Sequence, residues 1–226
     1  MPGHPLAKVG GESAIEPIAA APYGSASILS ISWAYIRQLG WEGLRESSAI
    51  SMLTANYMAH RLKDHYRLRY TNSKGRVAHE FLLDLGEFRE HVSVTDVAKR
   101  LIDFSFHPPT VSWPISTGLL VEPTESESLA EVERFCDALI KIRREIDDVV
   151  QGRVDKTDNL LKNAPHTVQM LAKDWDHTYS RSDAVYPVPQ LRSSKFWPPV
   201  RRVQEALGDR VLICECGTVD EYTSES

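Results

Sequence analysis

Cysteine is scarce in this chain: three occur in 226 residues, an odd number that cannot close into a disulfide framework. A reducing compartment suits such a chain. Cys214 and Cys216 form a C-x-C pair, but a structural zinc takes about four ligands and no second Cys or His pair of suitable spacing stands near them. A redox-sensitive surface pair is the better reading, and no metal site is expected. Basic charge is not in excess either. With 26 Lys and Arg scattered against 31 Asp and Glu and a net charge of -5, the chain lacks the footprint of a nucleic-acid binder. There is no run of 18 apolar residues to cross a membrane, and Met1-Pro2-Gly3-His4 opens neither a signal peptide nor an Arg-rich transit sequence. The familiar catalytic signatures G-x-S-x-G, the P-loop, H-E-x-x-H and G-x-G-x-x-G are also missing.

What is present is apolar content sufficient for one large domain or one and a half small ones, at 42% hydrophobic residues. Residues 1 to 19 carry Gly and Pro without periodicity and read as loop. From Ala20 to Gly40 the sequence turns at Pro22 to Gly24, adds Ser25 and Ser27, and enters a helix from about Ser25 to Leu39 that is apolar on nearly all sides. Glycine lets an anion approach the backbone, and the first amides of a helix lack internal partners, so Gly24 and Ser25 suit a phosphate; Ser25 or Ser27 as an ordinary N-cap is the plainer alternative. Gly40 is a helix stop, and a second helix spans about Glu42 to Asp64, with Ile50, Leu53, Tyr57 and Met58 as its apolar stripe and Asn56 and His60 at its edge.

After the turn at Asn72 to Gly75, alternation over Arg76 to Leu85 predicts a strand with Val77, His79, Phe81 and Leu83 on the core face, which makes His79 a hydrogen-bonded core histidine. A helix capped by Ser93 or Thr95 buries Val97, Leu101 and Phe104. The prolines of Phe106 to Thr110 force extended chain, and Thr110 to Trp113 and Gly118 to Glu122 form a hairpin. Thr124 and Glu127 make a capping box for a helix that runs to about Val150 and buries Leu129, Val132, Cys136, Leu139, Ile142 and Ile146. Strand, helix, hairpin and helix give a two-layer α/β domain over residues 76–150. From Gly152 onward, prolines interleaved with Trp175, Tyr179, Tyr186, Phe196 and Trp197 predict an irregular tail that wraps other surfaces through its aromatic side chains, with a frayed acidic end at Asp220 to Ser226. Glu122 and Glu125 would serve as an acid and base pair, or more simply as capping residues facing water.

The runs AAPYGSASILSISWAYI, AISMLTANYMAHRL, VAHEFLLDL, DVAKRLIDFSFHPPTVSWP, LLVEPTESESLAEVERFCDALI, LKNAPHT and KFWPPVRRV follow in order, and together they resemble the C-terminal part of glycine dehydrogenase (decarboxylating), the P-protein family of the glycine cleavage system. The resemblance implies an oxidoreductase of the aspartate-aminotransferase-like fold, fold type I, dependent on pyridoxal 5'-phosphate. Such an enzyme decarboxylates glycine and passes the aminomethyl group to the lipoyl arm of H-protein, as a homodimer or heterotetramer. Residues 1–75 would be a remnant of the large cofactor-binding domain, 76–150 the small domain and 151–226 the wrapping tail. Gly24 and Ser25 stand where family members place a turn at the cofactor phosphate. His107, Thr110, Glu122 and Thr124 would border the path of substrate and lipoyl arm. The family's lysine that bonds the cofactor follows a histidine in a glycine-rich stretch, and no lysine follows a histidine here, so that group is expected outside this chain and the chain is expected to be inert alone. Tyr23, Ser30, Pro108 and Leu160 replace the family's usual Trp, Pro, Ala and Pro. The wording of PGHPL and GRVAHEFLLDL suggests a bacterial cytoplasm, with the mitochondrial matrix as alternative. A non-catalytic interaction domain, or another fold type I enzyme, are the competing readings. Without the large domain, the helix at 25–39 would have no burial partner.

Overall fold

A computed structural model describes residues 3, 10–15, 21, 24–208 and 210. The expectations for Pro22, Tyr23, Cys214, Cys216, most of residues 1 to 19 and the acidic end at 220–226 lie outside the described residues. Helix α1 spans Leu29–Leu62, and Gly40 breaks it with φ 60° and ψ -169°, a conformation that L side chains avoid. The two halves have opposite fates. In residues 29–39, Leu29, Ile31, Trp33 and Ile36 are exposed, whereas residues 41–62 bury Ala55, Met58, Ala59 and Leu62, an i, i+3, i+4, i+7 stripe. Of the expected stripe, Met58 is buried and Tyr57 packs against the core, whereas Leu53 is 69% exposed and Ile50 is exposed too, the inward face turning to Ala55, Ala59 and Leu62 instead.

The sheet holds four antiparallel strands, β1 (Arg67–Arg69), β2 (Phe81–Asp84), β3 (Thr110–Val111) and β4 (Gly118–Val121), in the order β1-β2-β4-β3. The register sets Phe81 opposite Val121 and Leu83 opposite Leu119, and these four face the core. The hairpin forms where expected, with shorter strands: Thr110–Val111 in place of Thr110 to Trp113, and Gly118–Val121 in place of Gly118 to Glu122. The strand predicted from Arg76 is shorter, because residues before Phe81 are held by a side chain instead of a ladder: the Asn56 amide donates to the Val77 carbonyl at 2.8 Å and its oxygen accepts from the Val77 amide at 3.0 Å. His79 consequently does not enter the core; its side chain is 57% exposed. Strand β1 carries arginine at both ends and had no alternating apolar signal to announce it.

Helix α2 (Val94–Asp103) starts with a complete capping box, Ser93 accepting from the Asp96 amide and Asp96 accepting from the Ser93 amide. Helix α3 spans Leu129–Val150 and is capped by Ser128, whose hydroxyl accepts from the Glu131 amide at 3.2 Å. The box expected at Thr124 and Glu127 is thus displaced by four residues, one helical turn, and the Glu131 carboxylate turns to Arg134 instead of closing it. Leu129, expected inside, is 66% exposed at the first position of the helix. Val132, Cys136, Leu139, Ile142 and Ile146 are buried as the periodicity predicts. One core joins the sheet to α2, α3, the second half of α1 and Leu161 of the short helix α4 (Leu160–Asn163).

Candidate functional site

Two prolines keep residues 106–109 out of helix, and this loop faces the end of β4 and the first turns of α3 across a cavity of about 390 Å³. His107, Thr110 and Glu122 line it together with Glu127, Glu131 and an apolar floor that includes Met58 and Phe135. Three of the four residues expected on the substrate and lipoyl path are thereby brought together. Thr124 is not among the lining residues; it is exposed, with its hydroxyl 3.3 Å from that of Ser126. Glu125, which does not line the cavity, accepts from the Tyr35 hydroxyl at 3.0 Å and ties the turn before α3 to the first half of α1. Hydrogen bonds from its own amide, Tyr35 and Ser47 hold the Glu125 carboxyl below the usual carboxylate range. Glu122 has instead the His79 ring at 3.8 Å, so the proposed acid and base pair has separate partners.

The loop is braced from behind. Arg134 donates to the Phe104 carbonyl at 2.9 Å, lies 3.7 Å above the Phe106 ring, and grips Glu131 with two hydrogen bonds. The Phe196 amide donates to the Ser105 hydroxyl at 3.0 Å, and Lys195 donates to the Asp103 carbonyl. Burial pushes the Lys195 ammonium down to about 8.

Gly24 and Ser25 lie apart from this cavity's lining. Gly24 has φ 85° and its amide closes a turn on the Ala21 carbonyl at 2.9 Å; a Cβ placed there meets nothing within 4 Å. Ser25 precedes a short turn of helix at Ala26–Ile28 but its hydroxyl caps no amide, so the plainer N-cap reading is not realised in its side chain. The Ser25 hydroxyl is thus exposed and makes no cap bond, directly after a glycine in the left-handed region.

A second cluster was not anticipated. Arg100 is fully buried and directs all its N–H groups to acceptors: Asp103 at 3.0 Å, Glu145 twice at 2.9 Å, and the carbonyls of Ala184 and Asp183 at 2.7 and 3.0 Å. Asp103 also accepts from the amide and Nδ1 of buried His166, both at 2.7 Å, and His166 Nε2 meets the Tyr179 hydroxyl at 2.9 Å. Burial raises the Asp103 carboxyl, but His166 and Arg100 outweigh it and hold Asp103 below its ordinary value. Burial lowers His166 more than Asp103 raises it, which keeps the ring neutral. A signal for Arg100 existed in the sequence: it falls between Val97, Leu101 and Phe104 on the buried stripe of α2. Cys136 is buried, as its place on the α3 stripe implied, and burial pushes its thiol up to about 11.

Helices over a small antiparallel sheet, with a cavity at the strand ends, make this a mixed α/β domain. A family described as "Glycine dehydrogenase, C-terminal domain" matches residues 47–166, a span that includes the cavity. Over its whole length the chain is 51% identical to a "Glycine dehydrogenase (decarboxylating)" of Prochlorococcus marinus (strain MIT 9303), of which it covers 23%. It is 52% identical, over 97% of its length, to a "Putative glycine dehydrogenase (decarboxylating), mitochondrial" of Schizosaccharomyces pombe, covering 22% of that protein, and 49% identical to a Pelagibacter ubique relative. The chain belongs to the glycine dehydrogenase C-terminal domain family, and it spans less than a quarter of the length of these curated relatives. No helix among the described residues is long and apolar enough to cross a membrane.

Proposed function

We infer that this chain supplies the C-terminal portion of a glycine decarboxylase of fold type I, in which glycine loses carbon dioxide and the aminomethyl group passes to the lipoyl arm of H-protein. The observation that supports it is identity near one half along the whole chain to proteins named for that reaction. Pyridoxal 5'-phosphate, when bound, supplies the electron sink for the pair left behind as carbon dioxide departs. In this reading Ser25 donates to its phosphate and Gly24 allows the close approach, while the lysine that bonds the cofactor belongs to a segment outside this chain. His107, Thr110 and Glu122 border the path of substrate and arm, with Thr124 beside it. The apolar face of residues 29–39 packs on the large domain or on a partner subunit, in a homodimer or heterotetramer. A bacterial cytoplasm is the first setting; the relative named as mitochondrial makes the matrix the second.

Co-expression with the preceding three-quarters of a relative, followed by glycine decarboxylation in the presence of H-protein, tests this. The pair is expected to be active and the chain alone inert, and Gly24→Val in the pair should weaken cofactor retention. Carbon dioxide release by the chain alone, or an inactive pair, would overturn the reading.

A further inference from the structure

Helix α2 ends on a residue that such helix ends seldom carry. The Ser105 amide donates to the Ile102 carbonyl at 2.9 Å and the Phe106 amide to the Leu101 carbonyl at 3.0 Å, the paired bonds that close a helix around a left-handed residue. Glycine usually fills that position, because it has no Cβ to crowd the carbonyl that follows. Here Ser105 holds it, with φ 63°. What the serine adds is a hydroxyl, which accepts from the Phe196 amide at 3.0 Å across 91 positions of chain. The last carbonyls before the loop turn to cations from other elements: that of Asp103 accepts from Lys195, and that of Phe104 accepts from Arg134 at 2.9 Å. Each cation also meets the negative end of the α2 dipole.

The end of α2 is therefore held from two sides, by α3 through Arg134 and by the distant segment through Lys195 and Phe196. The loop that begins there brings His107 and Thr110 to the cavity. We propose that Ser105 and Lys195 are positioning residues: through them the segment at Lys195 and Phe196 grips the end of α2 and fixes His107 and Thr110 along the path of the arm. The inference rests on the reading of the cavity as that path, and it adds to the path two residues that do not line it. Both act through the loop. A loop released from this grip spends part of its time in other arrangements, and the affinity for whatever enters falls by the fraction of time that the right one is present. Turnover of what is already bound stays the same.

Amide hydrogen exchange in the full chain reads the grip without any catalysis. Lys195→Met keeps the aliphatic stem and removes the donor, so it should remove the protection of the Phe106 amide. Lys195→Arg should restore that protection, and the amides of β2 and β4 should exchange as before in both. Ser105→Gly separates the grip from the helix ending: glycine suits the left-handed position better, so a role confined to that ending predicts faster binding and no loss, whereas the grip predicts loss of protection at the Phe196 amide. In the reconstituted pair, Lys195→Met and Ser105→Gly should each raise the KM for H-protein about threefold while kcat stays within about twofold, and Lys195→Arg should return both to the starting values. Unchanged exchange at Phe106 in Lys195→Met, a loss of protection that spreads to β2 and β4, or no rescue by Lys195→Arg overturns the proposal. A loosened loop in an active pair with unchanged KM takes His107 and Thr110 off the path, so the path reading fails while the grip stands. An unaltered pair that does not decarboxylate glycine removes the proposed function, and the exchange result still decides the grip.

Discussion

Arg100 and the cavity beside Phe135 place charge in opposite settings within one small domain. Around Arg100 every N–H of a fully buried guanidinium has an acceptor within 3.0 Å, and each buried side-chain polar atom of the described residues has a partner. At the cavity, Glu122 and Glu127 stand beside apolar side chains, no lysine or arginine is among the lining residues, and Glu122 has only the exposed His79 ring at 3.8 Å. A satisfied interior network has no capacity left for a ligand and can only hold one arrangement of the chain, here α2 against α3 and the segment 166–185. Uncompensated carboxylates at an opening cost little while water solvates them and are available to whatever enters. The contrast gives the first region a structural role and leaves the second open to a ligand as the proposed function requires, and it makes the two separable by mutation.

The largest effect is expected at Arg100. Arg100→Ala strands Asp103 and Glu145 without their counter-ion, and breaking a buried pair in this way costs roughly 3–5 kcal/mol. Urea unfolding of the variant would measure it. A loss under about 1 kcal/mol, the range of surface pairs, would mean that water reaches the network and that the contrast with the cavity is false.

The next effect is read along the pH axis. Burial holds His166 below its ordinary value, even though Asp103 pulls the other way; Arg100 and Arg201 add to the lowering, and Tyr179 and Trp175 are the other groups around the ring. A ring whose folded pKa lies below its unfolded one takes up its proton more readily when the chain unfolds. The associated stability is complete above the unfolded value of about 6.5 and is lost as pH falls below it; Asp103, also held low, adds its own loss only below about pH 3.9. Urea midpoints measured from about pH 7.5 down to about 5 should therefore fall, and His166→Gln should flatten that slope while lowering stability at the neutral end. Equal slopes in the two proteins would remove His166 from the acid response.

These two regions differ also in how far the sequence announced them. The helices were legible wherever a 3.6-residue stripe met large apolar residues, as in α3, and the hairpin wherever prolines and a turn bounded short apolar runs. Local signals failed where a side chain replaced backbone pairing, as Asn56 does at Val77, and where two capping patterns stood one turn apart, as at Thr124 and Ser128. Of the candidate site, His107, Thr110 and Glu122 came from resemblance, and the fold gathers them because proline-forced extension and the end of β4 meet over α3. The network of Arg100, Asp103, His166 and Tyr179 joins residues up to 79 positions apart in the chain, and periodicity carries no information about pairings at that range. Only the place of Arg100 on an apolar stripe hinted that a charge was to be buried.

The smallest effect sharpens the contrast from the other side. Glu122→Gln and Glu127→Gln remove charges at exposed positions that pair with no lysine or arginine, so each should change folding stability by no more than about 0.5 kcal/mol, the usual range for surface substitutions away from structural features. Removing repulsion between nearby carboxylates would even make the change slightly favourable. Urea unfolding at low and moderate salt would measure both variants. A loss comparable with that of Arg100→Ala would mean that the rim carboxylates maintain the fold, and the division between a region that holds the structure and a region that meets a ligand would fall with it.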